Sequence, residues 1–170
     1  MVIKKRNSAI LRADKFAAAL TLVETLVAMV ILTVAVIGAS GYRYYAMLDA
    51  RKAWMQRTGA AIALLLCENW RGRGYDHTAD FDPVTHLGPE LSITGPGSDG
   101  PGAPAGFTAR GKYQIVVENT YYWATLSYRD EPTPGLRSLN VTIAWHQASS
   151  QPTIYDSGAK VFRLTTFVSN

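Results

Sequence analysis

The chain of 170 residues is poor in the side chains on which most small-molecule chemistry depends. It has one cysteine, Cys67, so no intrachain disulfide can form. The neighbours of Cys67 in AIALLLCENW are apolar, which reads as a buried small hydrophobe rather than a reactive thiol. The three histidines, His77, His86 and His146, are scattered and show no metal-ligand spacing. No Ser, His and acidic set recurs in a recognisable catalytic motif, and no phosphate-cradling glycine loop follows a strand, so an enzyme is not expected. No cofactor is implied. Charge excess is also missing from most of the chain. Residues 1–19 carry Lys4, Lys5, Arg6, Arg12 and Lys15 against Asp14, whereas residues 20–170 hold 12 basic and 12 acidic residues. The basic balance therefore belongs to the N-terminal segment and does not mark a nucleic-acid-binding surface.

What is present begins at Leu20. From Leu20 to Tyr42 the chain reads LTLVETLVAMVILTVAVIGASGY, with Glu24 its one charged residue. A bilayer-spanning helix needs about 20 mostly apolar residues. A carboxylate in such a helix costs roughly 2.5–3.5 kcal/mol at the bilayer centre and less toward the ends. Positive charge before the first apolar helix predicts a cytoplasmic N-terminus, with the C-terminal part across the membrane. A plain secretory signal cleaved near Ala39-Ser40-Gly41 is the alternative. The apolar stretch is longer than the usual 7–15 residues of a signal core, and Glu24 lies inside it.

The string from Ala19 to Ala28 (ALTLVETLVA) resembles the N-terminal motif of type IV prepilins and type II secretion pseudopilins. That pattern joins a basic leader ending in a small residue, a hydrophobic first residue of the mature chain, a Thr-Leu-Val/Ile-Glu string and a continuing apolar helix. Here Ala19 stands where Gly is usual and Leu20 where Phe is usual. The resemblance covers residues 1 to about 50. It implies cleavage between Ala19 and Leu20 by a prepilin peptidase and N-methylation of Leu20. It also implies pairing of Glu24 with the N-terminal amine of an adjacent subunit. The implied partners are other pilin or pseudopilin subunits, the peptidase and methyltransferase, and an inner-membrane assembly platform. The implied location is the bacterial inner membrane, then a pilus or pseudopilus. A run of polar and aromatic helix after the span, without proline near the membrane exit, resembles a minor subunit. Secretion, pilus assembly and DNA uptake all stay open. Thr21-x-x-Glu24 also reads as a capping box, in which both residues satisfy a helix N-terminus.

Downstream, Met47, Trp54 and Ala61 recur every seven residues, with Ala50 and Leu65 in the neighbouring row, predicting an amphipathic helix over 42–71. Arg43, Arg51, Lys52 and Arg57 are expected to face solvent. Gly38-Ala39-Ser40-Gly41 is either a bend or a close-packing patch. From Gly72 to Gly111, 14 of 40 residues are Gly or Pro, so a long loop is expected, with GPGSDGPGAPAG (95–106) its most disordered part. Asp76, Asp80 and Asp82 are weak calcium candidates, because some pseudopilins bind calcium through loop carboxylates. No EF-hand-like spacing supports such a site, and they read as solvated charges.

Four strand candidates follow over 112–170: Lys112–Glu118, Tyr121–Arg129, Arg137–His146 and Lys160–Val168, the first two joined by a turn at Asn119-Thr120. The aromatic residues Tyr121, Tyr122, Trp123, Tyr128 and Trp145 are read as sheet packing. The expected fold is α+β and pilin-like: a basic leader (1–19), a transmembrane and assembly helix (20–41), an amphipathic continuation (42–71), the loop (72–111) and an antiparallel sheet of about four strands. Residues 42–170 together are expected to form the globular domain. The competing reading is a monomeric membrane-anchored or secreted periplasmic β-domain that binds a ligand or partner.

Overall fold

A computed structural model describes the backbone of residues 6–72, 81–87, 91–97, 99–133, 135–147, 154–156 and 158–169, and the side chains from Thr21 onward. The first element, α1, is one uninterrupted helix from Arg6 to Arg71. No proline interrupts it, and Gly38 and Gly41 pass through it without a break. It ends where Gly72 donates its N–H back to the Glu68 carbonyl at 3.0 Å, as the Arg71-Gly72 sequence predicts. The chain divides into two compact units, 1–50 and 51–170. The globular unit thus starts at Arg51, and Tyr42–Ala50 belongs with the apolar part of the helix rather than with the sheet.

Within the second unit, the helix from Arg51 to Arg71 packs on a five-stranded antiparallel sheet, a two-layer α+β arrangement. The strands are β1 (Ser92–Thr94), β2 (Thr108–Val117), β3 (Thr120–Asp130), β4 (Leu136–Trp145) and β5 (Lys160–Ser169). Their spatial order is their sequence order, a simple meander. The four expected strands are all present. The fifth, β1, is a three-residue edge strand paired through Ile93↔Ile115, short enough to leave no alternation to read. A short helix, α2 (Pro83–Leu87), precedes it.

The helix meets the sheet on a face about 140° around its axis from the expected one. Met55, Ile62, Ala63, Leu66, Cys67 and Trp70 are buried, whereas Trp54 and Leu65 keep over a third of their surface and Met47 is 74% exposed. Gly59 decides this. A Cβ there would lie 3.1 Å from two ring carbons of Trp145, so the face carrying Gly59 is the one that approaches the sheet closely. A seven-residue count of large apolar side chains misses a contact made by the residue without one. Opposite this face lie Tyr122, Ala124 and Leu126 of β3 and Leu139, Val141 and Ile143 of β4, all fully buried. The expected alternation of β4 holds, with Leu139, Val141, Ile143 and Trp145 in the core cluster.

The other face of the sheet is buried and polar at its centre, while β5 leaves Val161 and Phe167 exposed on it. Thr125, Ser127, Ser138, Asn140 and Thr142 are almost completely buried. Asn140 is their hub. Its Oδ1 accepts from Thr142 Oγ1 at 2.9 Å and Ser127 Oγ at 3.4 Å, and its Nδ2 donates to Thr165 Oγ1 at 2.8 Å and Leu164 O at 3.3 Å. All the bonding capacity of the amide group is in use, as a buried polar network requires. The Gly/Pro stretch expected to be disordered packs here. Gly97 donates to the Lys112 carbonyl at 2.9 Å, the Pro101 carbonyl accepts from Thr125 Oγ1 at 2.6 Å, and the Gly100 carbonyl accepts from Lys112 Nζ at 3.2 Å. Gly95, at φ +149°, allows this path: a Cβ there would sit 2.8 Å from Tyr113 Cδ1. Gly95 and Gly100, where a Cβ would meet Tyr113 and Thr125, serve close approach rather than disorder. The turn between β2 and β3 falls on Glu118-Asn119, one residue earlier than expected. Both have positive φ, 46° and 63°, and Val117 pairs with Thr120. That is the primed geometry matching strand twist.

Tyr122 carries a pH signature of this packing. Its ring is fully buried, and its hydroxyl donates to the Met55 carbonyl at 3.3 Å. Burial pushes its pKa up to about 12, against the lowering effect of a hydrogen bond with Thr58. An unfolded tyrosine ionises near 10. Between those values the unfolded chain binds fewer protons than the folded one, so stability falls as pH rises. The Tyr122 contribution is fully present below pH ~10 and is lost as pH rises toward 12. Urea midpoints measured across that window should fall, and Tyr122→Phe should flatten the fall; an unchanged slope in the variant would contradict the assignment.

Candidate functional site

The expected processing and assembly residues all lie in α1. Leu20 and Glu24 are separated by one helical turn, an i,i+4 pair on one face. The junction between Ala19 and Leu20 is itself helical. Thr21 and Glu24 lie fifteen or more residues inside a helix that starts at Arg6. The capping-box reading is therefore wrong for the uncut chain. Orphan N–H groups exist only in the first turn, and the N–H groups around Thr21 are inside the helical ladder. A cap at Thr21 becomes possible only if the chain is cut just before it.

The surroundings of Glu24 are uniformly apolar and open. From Leu22 to Ile37 the large aliphatic side chains are all more than half exposed. This is one helix long and apolar enough to cross a membrane, with an 18-residue window of mean hydropathy 2.4. The hydroxyls along it turn inward to the backbone. Thr25 Oγ1 donates to Thr21 O at 2.8 Å, Thr33 Oγ1 to Met29 O at 2.7 Å, and Ser40 Oγ to Val36 O at 2.8 Å. Such bonds satisfy a polar group without water. Glu24 has no equivalent. Its carboxylate is exposed, and among the described residues it makes no hydrogen bond or ion pair. It is thus the one acidic group left to an external partner in a segment whose neighbouring polar groups are internally satisfied.

Of the calcium candidates, Asp76 and Asp80 lie outside the described residues. Asp82 caps α2. Its Oδ2 accepts from Thr85 Oγ1 at 2.7 Å and its Oδ1 from the Val84 N–H at 3.2 Å. The Thr85 hydrogen bond, then the backbone donors, hold its carboxyl below the usual range. Its position before Pro83 at the first helical turn is the signal for this role. Among the described residues no cluster of three or more His, Cys, Asp or Glu could hold a metal ion. Cys67 is buried, and burial followed by the neighbouring Glu68 pushes its thiol up, so it stays protonated and unreactive.

The rotated helix face leaves an apolar groove of about 340 Å³ in the second unit, lined by Trp54, Arg57, Thr58, Ala61, Ile62, Leu65, Leu91 and Val117. Sequence periodicity missed it because it placed Trp54 and Leu65 in the core. Comparison with known protein families, curated proteins and solved structures finds no match to this chain.

Proposed function

We propose that the chain is a minor subunit of a type IV pilus or type II secretion pseudopilus. In this reading, the uncut chain sits in the bacterial inner membrane through α1, with its N-terminus cytoplasmic and its sheet periplasmic. A prepilin peptidase cuts between Ala19 and Leu20, and the freed Leu20 amine is methylated. The chain then joins a filament through the apolar half of α1, and its function is assembly rather than turnover.

One observation carries the reading: Glu24 is an exposed carboxylate without a partner among the described residues, in a helix where Thr25, Thr33 and Ser40 are each satisfied. An unpaired carboxylate in an apolar bundle is costly, and a paired one is tolerable. Cleavage at Ala19–Leu20 creates an ammonium group one turn away on the same face. Within one chain that ammonium also heads a new helix N-terminus, where negative charge is favoured by roughly 0.3–1 kcal/mol. Between chains, it offers Glu24 a full opposite charge and so selects the axial register of neighbouring helices.

The test is the mass of the mature N-terminus after expression with a prepilin peptidase. The expected product starts at Leu20 and carries one added methyl group on its amine. A product starting near Tyr42 would instead assign residues 1–41 to a secretory signal, and the sheet to a released periplasmic domain.

A further inference from the structure

Immediately after the apolar run, α1 presents three tyrosines in four residues. Tyr42 is 77% exposed, Tyr44 62% and Tyr45 68%. At 3.6 residues per turn, successive side chains are about 100° apart. Taking Tyr42 as origin, Arg43 stands at about 100°, Tyr44 at about 200° and Tyr45 at about 300°. Tyr44 and Tyr45 touch edge to face, with ring centroids 5.8 Å apart. The three rings and the guanidinium therefore encircle the helix. A surface built for one protein partner concentrates its anchors on one face, at i, i+3, i+4 and i+7. A ring of amphipathic side chains has no preferred side, as suits a medium that surrounds the helix.

The position of this ring along the helix is equally specific. Thr21 to Gly41 is 21 residues, about 31 Å of helix, against about 30 Å of bilayer hydrocarbon. Asp49, Arg51 and Lys52 follow within about two turns. The tyrosines thus fall where apolar surface gives way to charge. Tyrosine is enriched at that depth because its ring is apolar and its hydroxyl is polar.

We propose that Tyr42, Tyr44 and Tyr45 form a girdle that seats α1 in the phospholipid headgroup layer, with Arg43 directed to lipid phosphate. The girdle fixes how deep the span sits. Glu24 lies 18 residues earlier, about 27 Å along the axis. With the tyrosines at one boundary, Glu24 falls just inside the opposite one, where a carboxylate is tolerated better than at the centre. This inference rests on the membrane crossing of the proposed function, but not on filament assembly.

The experiment uses the full uncut chain in vesicles of phosphatidylethanolamine and phosphatidylglycerol. Single cysteines replace Gly38, Gly41, Ala46 or Ala50 in a Cys67→Ser background, and a membrane-impermeant maleimide reports water access. The expected pattern is protection at 38 and 41 and labelling at 46 and 50. Replacing the three tyrosines by alanine should blur this step, reducing the ratio of labelling rates between 46 and 38 several-fold. Replacement by tryptophan, which also favours the interface, should retain the step. An embedded chain whose step is the same with alanine as with tyrosine overturns the girdle and leaves the anchor intact. Equal labelling at all four positions overturns the membrane crossing itself. A step that moves with protein density in the vesicle assigns the tyrosines to chain–chain packing and also overturns the proposal.

Discussion

Glu24→Ala should be cut and methylated at the normal rate but fail to enter filaments with its partner subunits. Alanine is the best helix former, so the substitution leaves α1 and the Ala19–Leu20 junction intact. In the proposed filament, what it removes is the counter-charge for a Leu20 ammonium inside an apolar bundle. Removing one member of a buried ion pair costs about 3–5 kcal/mol, because the other charge stays behind unpaired. At about 1.4 kcal/mol per tenfold, incorporation should fall on the order of a hundred- to a thousandfold. Co-purification of tagged subunits, normalised to processed protein, reads this directly. Glu24→Gln separates charge from size: it should behave like alanine, since an amide cannot neutralise an ammonium. Normal incorporation of processed Glu24→Ala would remove the pairing from the account, whatever the leader does.

The second large effect concerns the sheet unit and compares two tryptophans sixteen residues apart. Trp70 is fully buried and stacks on Phe81 at 6.2 Å, while the Phe81 carbonyl accepts two bonds from Arg110 of β2. The ring thus connects the end of α1, the segment before α2 and the sheet. Trp70→Ala should cost about 3–5 kcal/mol, the usual range for emptying a large aromatic site in a core. Trp54, 36% exposed at the rim of the apolar groove, should cost only about 1 kcal/mol on the same replacement. Urea unfolding of the detergent-solubilised chain, followed by near-ultraviolet circular dichroism, ranks the two. Equal losses would mean that the helix sits on the sheet by the Met47/Trp54/Ala61 row after all.

The two tryptophans also separate the local signals that the sequence carries from the long-range contacts that it does not. The α+β class, the strands β2 to β5 and the end of α1 at Arg71 were all legible, because period-2 alternation and the Arg-Gly helix stop are local signals. The face of α1 was not. Its deciding residue is Gly59, whose contribution is an absent side chain facing Trp145, and distant in sequence. The path of residues 95–107 was also hidden. Its order comes from Thr125 and Lys112 reaching its carbonyls, and composition alone reads such glycines as disorder. The Thr21–Glu24 motif misled for a third reason. A capping box has meaning only at a helix end, and the uncut helix starts at Arg6. The hydroxyls of Thr25, Thr33 and Ser40 carry no signal in the sequence, because it is their inward bonds in the folded helix that set Glu24 apart.

In the proposed filament, Glu24 of one subunit meets the Leu20 amine of another. Zero-length carbodiimide coupling of isolated filaments tests it, since it joins an amine to a carboxylate only when the two are in contact. The expected product is a covalent dimer whose digest contains a Leu20–Glu24 amide between two chains, absent with Glu24→Gln. Coupling of Leu20 to Glu24 within a single chain only, or of Leu20 to another carboxylate, would contradict it.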